Sequence, residues 1–207
     1  MEVLNLFPTE VFVFKNLTID NSNLIINLEK FADQVKQSSN ISYIRNIHDK
    51  QETKELFDWC KNCLEEIRLK NRYDCDQFEI TSSWFNRALP NSGMCQNYHR
   101  HSLSFFSAVY YLTDGSPTVF EDPVIHRTQA QLEVLRKDFN PYEYIQPEPG
   151  KLVVFPSWLY HTSLPHVTGK DRYIISFNTL PTGYVNYNVA TDSVAHITLE
   201  TKEKKYD

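Results

Sequence analysis

The chain has 207 residues, a formal net charge of −5, a sequence pI near 5.8 and only five glycines. That is enough chain for one domain with a sizeable core. It excludes a strongly basic nucleic-acid footprint, a dinucleotide-binding G-x-G-x-x-G or a P-loop, and any apolar run near the roughly 20 residues of a membrane helix.

The N-terminal MEVLNLFPTE has no basic n-region, so no signal peptide is expected and a cytoplasmic protein is. PTEVFVFKN, residues 8–16, alternates and is β-rich, which predicts a first strand. Asp20, Asn21 and Ser22 offer caps for a helix whose apolar residues are Leu24, Ile25, Leu28, Phe31, Ala32 and Val35, ending at 37–40. A second helix is expected from about Glu52 to Lys70. It contains Cys60 and Cys63, a C-x-x-C that invites a redox or zinc reading. Leu56, Cys60, Cys63, Leu64 and Ile67 recur at helical spacing, however, so both sulfurs fall on an apolar stripe, where cysteine behaves as a small hydrophobe. Buried, reduced thiols are expected.

From residue 77 the period changes. FEITSSWFNRAL, QNYHRHSL, FFSAVYYLTD and SPTVFEDP read as successive strands. Residues 126–139 have helical spacing and read as an insertion; LVVFPSWLYHTS supplies two short strands around Pro156, and RYIISFNTL is another strand. In the tail, VAHITLETK reads as an edge strand and EKKYD as frayed. About eight short strands behind a helical layer suggest a sandwich or barrel, not a doubly wound sheet. The expected organisation is a single domain over 1–207: a strand-plus-helix layer at 1–76, a β core at 77–181 and a tail at 182–207.

His99 and His101, two apart in QNYHRHSL, point the same way if the strand runs through them, with Leu103 on that face and Arg100 on the reverse. His161, at the end of the apolar run in LVVFPSWLYH, is the candidate third ligand. Three nitrogens on rigid strands leave coordination positions open, as catalysis requires. Arg172 opens RYIISFN; on a core strand it needs an anion, and its fork suits a carboxylate. His48 and His166 read as loop residues, His126 as the start of the insertion and His196 as part of the tail.

Taken together, LFPTEVFVFKNL, WFN at 84–86, QNYHRHSLSFFSAVYYL, TVFEDP, GKLVVFPSWLYH and RYIISFN resemble the Fe(II)/2-oxoglutarate-dependent oxygenases, specifically their prolyl-hydroxylase-like branch and a group frequent in bacteria and tailed phages. The resemblance covers most of the chain up to about Thr182. It implies a double-stranded β-helix, or distorted jelly roll, with Fe(II) at one end and 2-oxoglutarate and O2 as cosubstrates. It implies Arg172 as the group binding the far carboxylate of 2-oxoglutarate, with Tyr111 (preferred to Tyr110), Ser176 and Asn178 beside the cosubstrate. Asn86, Trp84 and Trp158 would line the substrate pocket, and no catalytic residue is implied beyond the metal ligands.

The chain departs from the family pattern at the carboxylate ligand. With His99 first, His101 replaces the usual acid and three histidines result; with His101 first, Leu103 stands at the acid position and two histidines remain. The first alignment is preferred, and Glu121 or Asp122 is a fallback carboxylate. Three neutral imidazoles leave Fe(II) with a charge of about +2 instead of about +1, which strengthens its attraction for a dianion. Neutral imidazoles are required, so binding weakens as pH falls through the histidine range. The expected reaction is hydroxylation of a peptidyl or metabolite substrate with release of succinate and CO2. The setting would be a host cytoplasm if the chain is phage-encoded, and neither nucleic acid nor membrane is an expected partner. The alternatives are a metal-binding jelly-roll module without turnover and a three-histidine cupin-type metalloenzyme that does not use 2-oxoglutarate.

Overall fold

The computed structural model describes residues 8–32, 41–124, 140–188 and 193–200. Val35, the expected insertion at 126–139 and EKKYD lie outside the described residues.

In chain order, β1 (Phe12–Lys15) is followed by α1 (Asn21–Ala32), β2 (Ile41–Arg45) and α2 (Lys54–Asn71). Then come β3 (Gln77–Ala88), β4 (Gln96–His99), β5 (Phe106–Tyr111) and β6 (Thr118–Glu121). The last five are β7 (Tyr142–Ile145), β8 (Lys151–Pro156), β9 (His161–Ser163), β10 (Arg172–Val185) and β11 (Ala195–Ile197). Asp20 caps α1 by accepting from the Asn23 N–H at 3.0 Å, which satisfies one of the helix's orphan donors. Helix α2 ends where Arg72 turns left-handed, its N–H returning to the carbonyls of Arg68 and Leu69.

The strands form two sheets. The major one runs β1-β8-β5-β10-β3-β2, with β11 pairing β10; the minor one runs β4-β9-β6-β7. They face one another as the layers of a double-stranded β-helix and do not close into a barrel. The expected fold class, mainly β with N-terminal helices, is the one observed. Two strands go beyond the sequence reading, β2 and β7, and β10 continues to Val185, past the boundary expected at 181.

Alternation along β10 divides the interior in two. Tyr173, Ile175 and Phe177 join Ala108, Tyr110, Leu152 and Val154 of the neighbouring strands in a core under the helices, which supply Leu56, Phe57, Cys60, Leu64 and Ile67. Each fully buried large side chain there contributes about 1.5–3 kcal/mol of transfer free energy. Cys60 and Cys63 are buried and free. Burial pushes the Cys63 thiol up to about 12 and the Cys60 thiol well above its ordinary range. The C-x-x-C is therefore core, as its spacing indicates. Phe105 and Phe106 pack with Tyr73 and Phe78 on this side, away from the cavity between the sheets.

The opposite face of the major sheet carries Val109, Tyr111, Val153, Phe155 and Ile174, which pack with Phe120 and Leu159 between the two sheets. Arg172, Ser176 and Asn178 occupy this same face of β10. Arg172 stands opposite Ala88, Ile174 opposite Asn86 and Ser176 opposite Trp84 on β3.

A three-histidine centre and a buried arginine

Three imidazoles meet at the minor sheet. His99 ends β4 and is in register with His161, which opens β9. His161 is also in register with Phe120 of β6. Sheet pairing thus brings together residues 62 positions apart (161 − 99).

His101 arrives differently from the sequence expectation. Strand β4 stops at His99, and the chain turns; Leu103 has φ of 50° and is 90% exposed, so it shares no inward face with the histidines. The turn is pinned where the His101 N–H donates to the Ser157 carbonyl (3.0 Å) and the Phe105 N–H to the Thr179 carbonyl (2.7 Å). This returns His101 to the other two. The ring centroids lie 5.0 Å (His99–His101), 4.3 Å (His99–His161) and 5.2 Å (His101–His161) apart. One ligand nitrogen from each lies within 4.8 Å of the others. Among the described residues no carboxylate joins this group. Glu121 and Asp122, the fallback acids, line a separate depression beside β7.

The hydrogen bonds suit two of these rings to a cation. His99 Nδ1 lies 2.7 Å from the Asn97 carbonyl oxygen and His161 Nδ1 2.9 Å from that of Leu159. A carbonyl only accepts, so each Nδ1 carries the proton and each Nε2 keeps a lone pair. Burial holds two of the three rings neutral: desolvation pulls His161 down to about 3, and desolvation, aided by the neighbouring His99, pulls His101 down to about 4. For these two, proton competition with a metal starts well below the ordinary histidine range. The donor set, three imidazole nitrogens on two strands and a pinned turn, fits a borderline divalent cation such as Fe(II).

A cavity of about 380 Å³ connects the histidines with Arg172. Trp84, Asn86, Gln96, Thr118, Phe155, Ile174 and Ser176 are among its walls. Arg172 is 7% exposed, and its Nε has no hydrogen-bond partner among the described residues. Desolvation lowers its pKa, opposed by Tyr111, and no acidic side chain among the described residues pairs with it. A buried guanidinium without an anion is costly, and this one faces the cavity. Gly115 makes room for it: a Cβ there would lie 3.0 Å from the Arg172 Cγ and Cδ.

The remaining expectations divide. Tyr111 faces between the sheets, its hydroxyl 2.5 Å from Thr118 Oγ1, whereas the Tyr110 hydroxyl donates to Asn21 on the helix side. Ser176 and Asn86 line the cavity, and the Asn86 Oδ1 is buried with no partner among the described residues. Trp84 lines it too and packs on His101 with centroids 5.6 Å apart. Trp158 does not: it sits in the turn between β8 and β9 with Ser157 and Leu159 pointing inward on either side, and is itself 51% exposed. Asn178 lies against His101, not beside Arg172. His166 is no solvated loop residue; fully buried, it bonds Ser116, Thr168 and the Lys170 carbonyl. His48 is half-buried, 2.6 Å from Ser83 Oγ. Thr118 and Gln96 are cavity residues that the sequence reading missed; each is one polar side chain in a short strand, with no pattern to single it out.

Residues 82–178, somewhat under half of the chain, match the family model described as "Putative 2OG-Fe(II) oxygenase". No curated protein matches the sequence. Among solved structures, a Pseudomonas putida prolyl-4-hydroxylase is 15% identical over 84% of this chain and 94% of its own, with a TM-score of 0.57. HygX from Streptomyces hygroscopicus, with nickel and 2-oxoglutarate bound, is 13% identical over 87% and 86%, with a TM-score of 0.58. SnoN, an alpha-ketoglutarate-dependent epimerase from nogalamycin biosynthesis, is 9% identical over 86% and 80%, with a TM-score of 0.63. The oxygenase resemblance is thus found in the sequence of the β core, and the likeness of fold extends over most of the chain.

Proposed function

We propose that the chain is an Fe(II)- and 2-oxoglutarate-dependent dioxygenase in which His99, His101 and His161 hold the metal and Arg172 holds the far carboxylate of 2-oxoglutarate. The observation that carries this reading is the pairing, in one cavity, of three imidazoles with a buried arginine that lacks an anion. A three-histidine site that used no dicarboxylate would leave Arg172 desolvated for nothing.

Iron bound there supplies O2 activation coupled to oxidative decarboxylation of 2-oxoglutarate, giving succinate, CO2 and oxidation of a substrate C–H bond. The protein's part is positioning. Arg172 offers a charge-assisted fork to a carboxylate, and Ser176 of the major sheet and Thr118 of the minor sheet line the same cavity. Val109, Phe155 and Ile174 form an apolar wall that excludes water and strengthens the polar contacts inside. Neutral histidines leave the metal more positive than a carboxylate ligand would, which favours a dianionic cosubstrate.

Hydroxylation of a peptidyl side chain is the substrate reading we favour, supported by the prolyl-hydroxylase-like motifs. The acidic chain offers no support for nucleic acid. The test is succinate release from 2-oxoglutarate with Fe(II), ascorbate and O2, run on wild type and His161→Ala with a panel of peptides. Succinate that depends on Fe(II) and disappears with His161→Ala is expected. Retained metal with no succinate across the panel would favour a binding module, and His161→Ala is expected to weaken metal binding more than the ~10–100-fold that outer-sphere partners carry.

A further inference from the structure

Strand β4 is an edge. It pairs with β9, and among the described residues no strand joins its other side to β3 or β2 of the major sheet. The two sheets stand open here, where the cavity is lined by Trp84 and Asn86 of β3 and by Gln96 and His99 of β4. Gln96 is in register with Ser163 and His99 with His161, so Asn97 and Tyr98 together stand against Thr162. This bulge is why Gln96 and His99, three positions apart, both reach the cavity. A bulge also leaves its extra residue outside the ladder, and this one falls in a stretch, Gln96 to Tyr98, that is exposed throughout. The other sheet edges, β1, β2 and β7, carry none of the three histidines.

The turn after β4 has a second feature. Leu103 adopts φ of 50° and is 90% exposed. A left-handed backbone is strained for leucine, and a side chain so exposed buries almost nothing. Trp158, half-exposed, stands on the turn tied to this one by the bond from the His101 N–H to the Ser157 carbonyl. Neither Leu103 nor Trp158 lines the cavity, so a metabolite held wholly inside it would not reach them.

We propose, on the dioxygenase reading above, that the substrate is a polypeptide lying as a short added strand along the free edge of β4 and against Leu103, with the residue to be oxidised beside His99. An edge strand offers N–H and C=O groups at a fixed spacing, and an extended main chain is the ligand that matches both. A side chain opposite His99 on such a strand has its Cβ about 4.5–5.5 Å from the His99 Cβ. Alternate side chains of the added strand share the inward face of His99. Main-chain pairing thus delivers one side chain to the metal end of the cavity and turns its neighbours away. The bulge and the four-residue length of β4 restrict the pairing to a short stretch, which blunts open-ended sheet growth.

The experiment starts from a pool of random-sequence decapeptides, from which the peptide that most increases succinate release is isolated. Each of its backbone nitrogens is then methylated in turn. Binding is measured by calorimetry, and amide hydrogen exchange is followed, on protein loaded with 2-oxoglutarate and redox-inert Zn(II). Methylation at alternate positions around the oxidised residue is expected to weaken binding ~10-fold, with the positions between tolerated. Bound peptide should slow exchange of the Asn97 or Tyr98 amide. Leu103→Asn, which suits a left-handed residue, should keep or raise the urea midpoint and still weaken peptide binding. A pool that leaves succinate release at the peptide-free rate, methylation that is tolerated everywhere or nowhere, unchanged exchange at 97 and 98, or wild-type peptide affinity in Leu103→Asn would overturn the proposal. Failure of Zn(II) and 2-oxoglutarate to bind together, or their undiminished binding by His161→Ala and Arg172→Gln, would instead overturn the dioxygenase reading.

Discussion

Arg87 and Arg172 sit on adjacent strands of one sheet and live in opposite worlds. Arg87, opposite Tyr173, meets Glu29 at 3.0 Å and Asp171 at 2.9 Å, and lies over the Tyr173 ring. The Tyr173 hydroxyl donates to the same Glu29 at 2.6 Å, so the cluster ties α1 to the sheet. Arg172, one residue from Tyr173 and on the other face, is more deeply buried and has no acid among the described residues. The helix-facing side of the sheet gives its arginine two carboxylates and is a structural joint, although the Arg87 Nε and Asp171 Oδ1 have no hydrogen-bond partner among the described residues. The cavity-facing side buries a cation with no acid beside it among the described residues, which supports the binding role proposed for it.

The largest effect expected from breaking that contrast is on cosubstrate affinity. Arg172→Gln should weaken 2-oxoglutarate binding by about 2–5 kcal/mol, the cost of removing one partner from a desolvated charged pair, or ~30-fold at the least. Fe(II) affinity should be unchanged; equilibrium titration of each ligand reads both. Arg87→Gln should do the reverse. It should leave 2-oxoglutarate binding at the wild-type value and lower stability by ~1 kcal/mol, because its pairs are about one-third exposed. A urea denaturation midpoint measures that.

A further effect sharpens the comparison through pH. His101 and His161 titrate at about 4 and about 3 in the folded protein, against about 6.5 in an unfolded chain. Between these values the unfolded state binds more protons, so stability is fully present above about pH 6.5 and declines as pH falls. His48, also lowered by desolvation, acts in the same direction from the helix side. The metal-free protein should therefore show a lower urea midpoint at pH 5 than at pH 7. His161→Gln should reduce the difference.

Much of this was legible in the residues. The β-rich segments 78–89 and 172–180 predict the two central strands, and helical spacing places Cys60 and Cys63 in the core. His99 and His101 stand out as an H-x-H in a strand, His161 as the end of an apolar run and Arg172 as a charge opening a core strand. What sequence could not carry was set by distant backbone. Leu103 gives no sign that it will adopt positive φ; it does so because the segment is pinned to Ser157 and Thr179. Trp158 reads as a pocket aromatic until a tight turn aims it outward. Asn178 meets Ser107, 71 positions away, only because β5 and β10 pair. Strands β2 and β7 are short and lack flanking Gly or Asn-Gly signals, so pairing with β3 and β6 decides them.

The most direct test of one site for a metal and a dicarboxylate is an anaerobic titration of the protein with Fe(II) and 2-oxoglutarate, followed by visible absorption. A charge-transfer band that needs both ligands, saturates at one equivalent of each and is lost in His161→Ala is the predicted result. Fe(II) and 2-oxoglutarate binding independently, with no band when both are present, would contradict it.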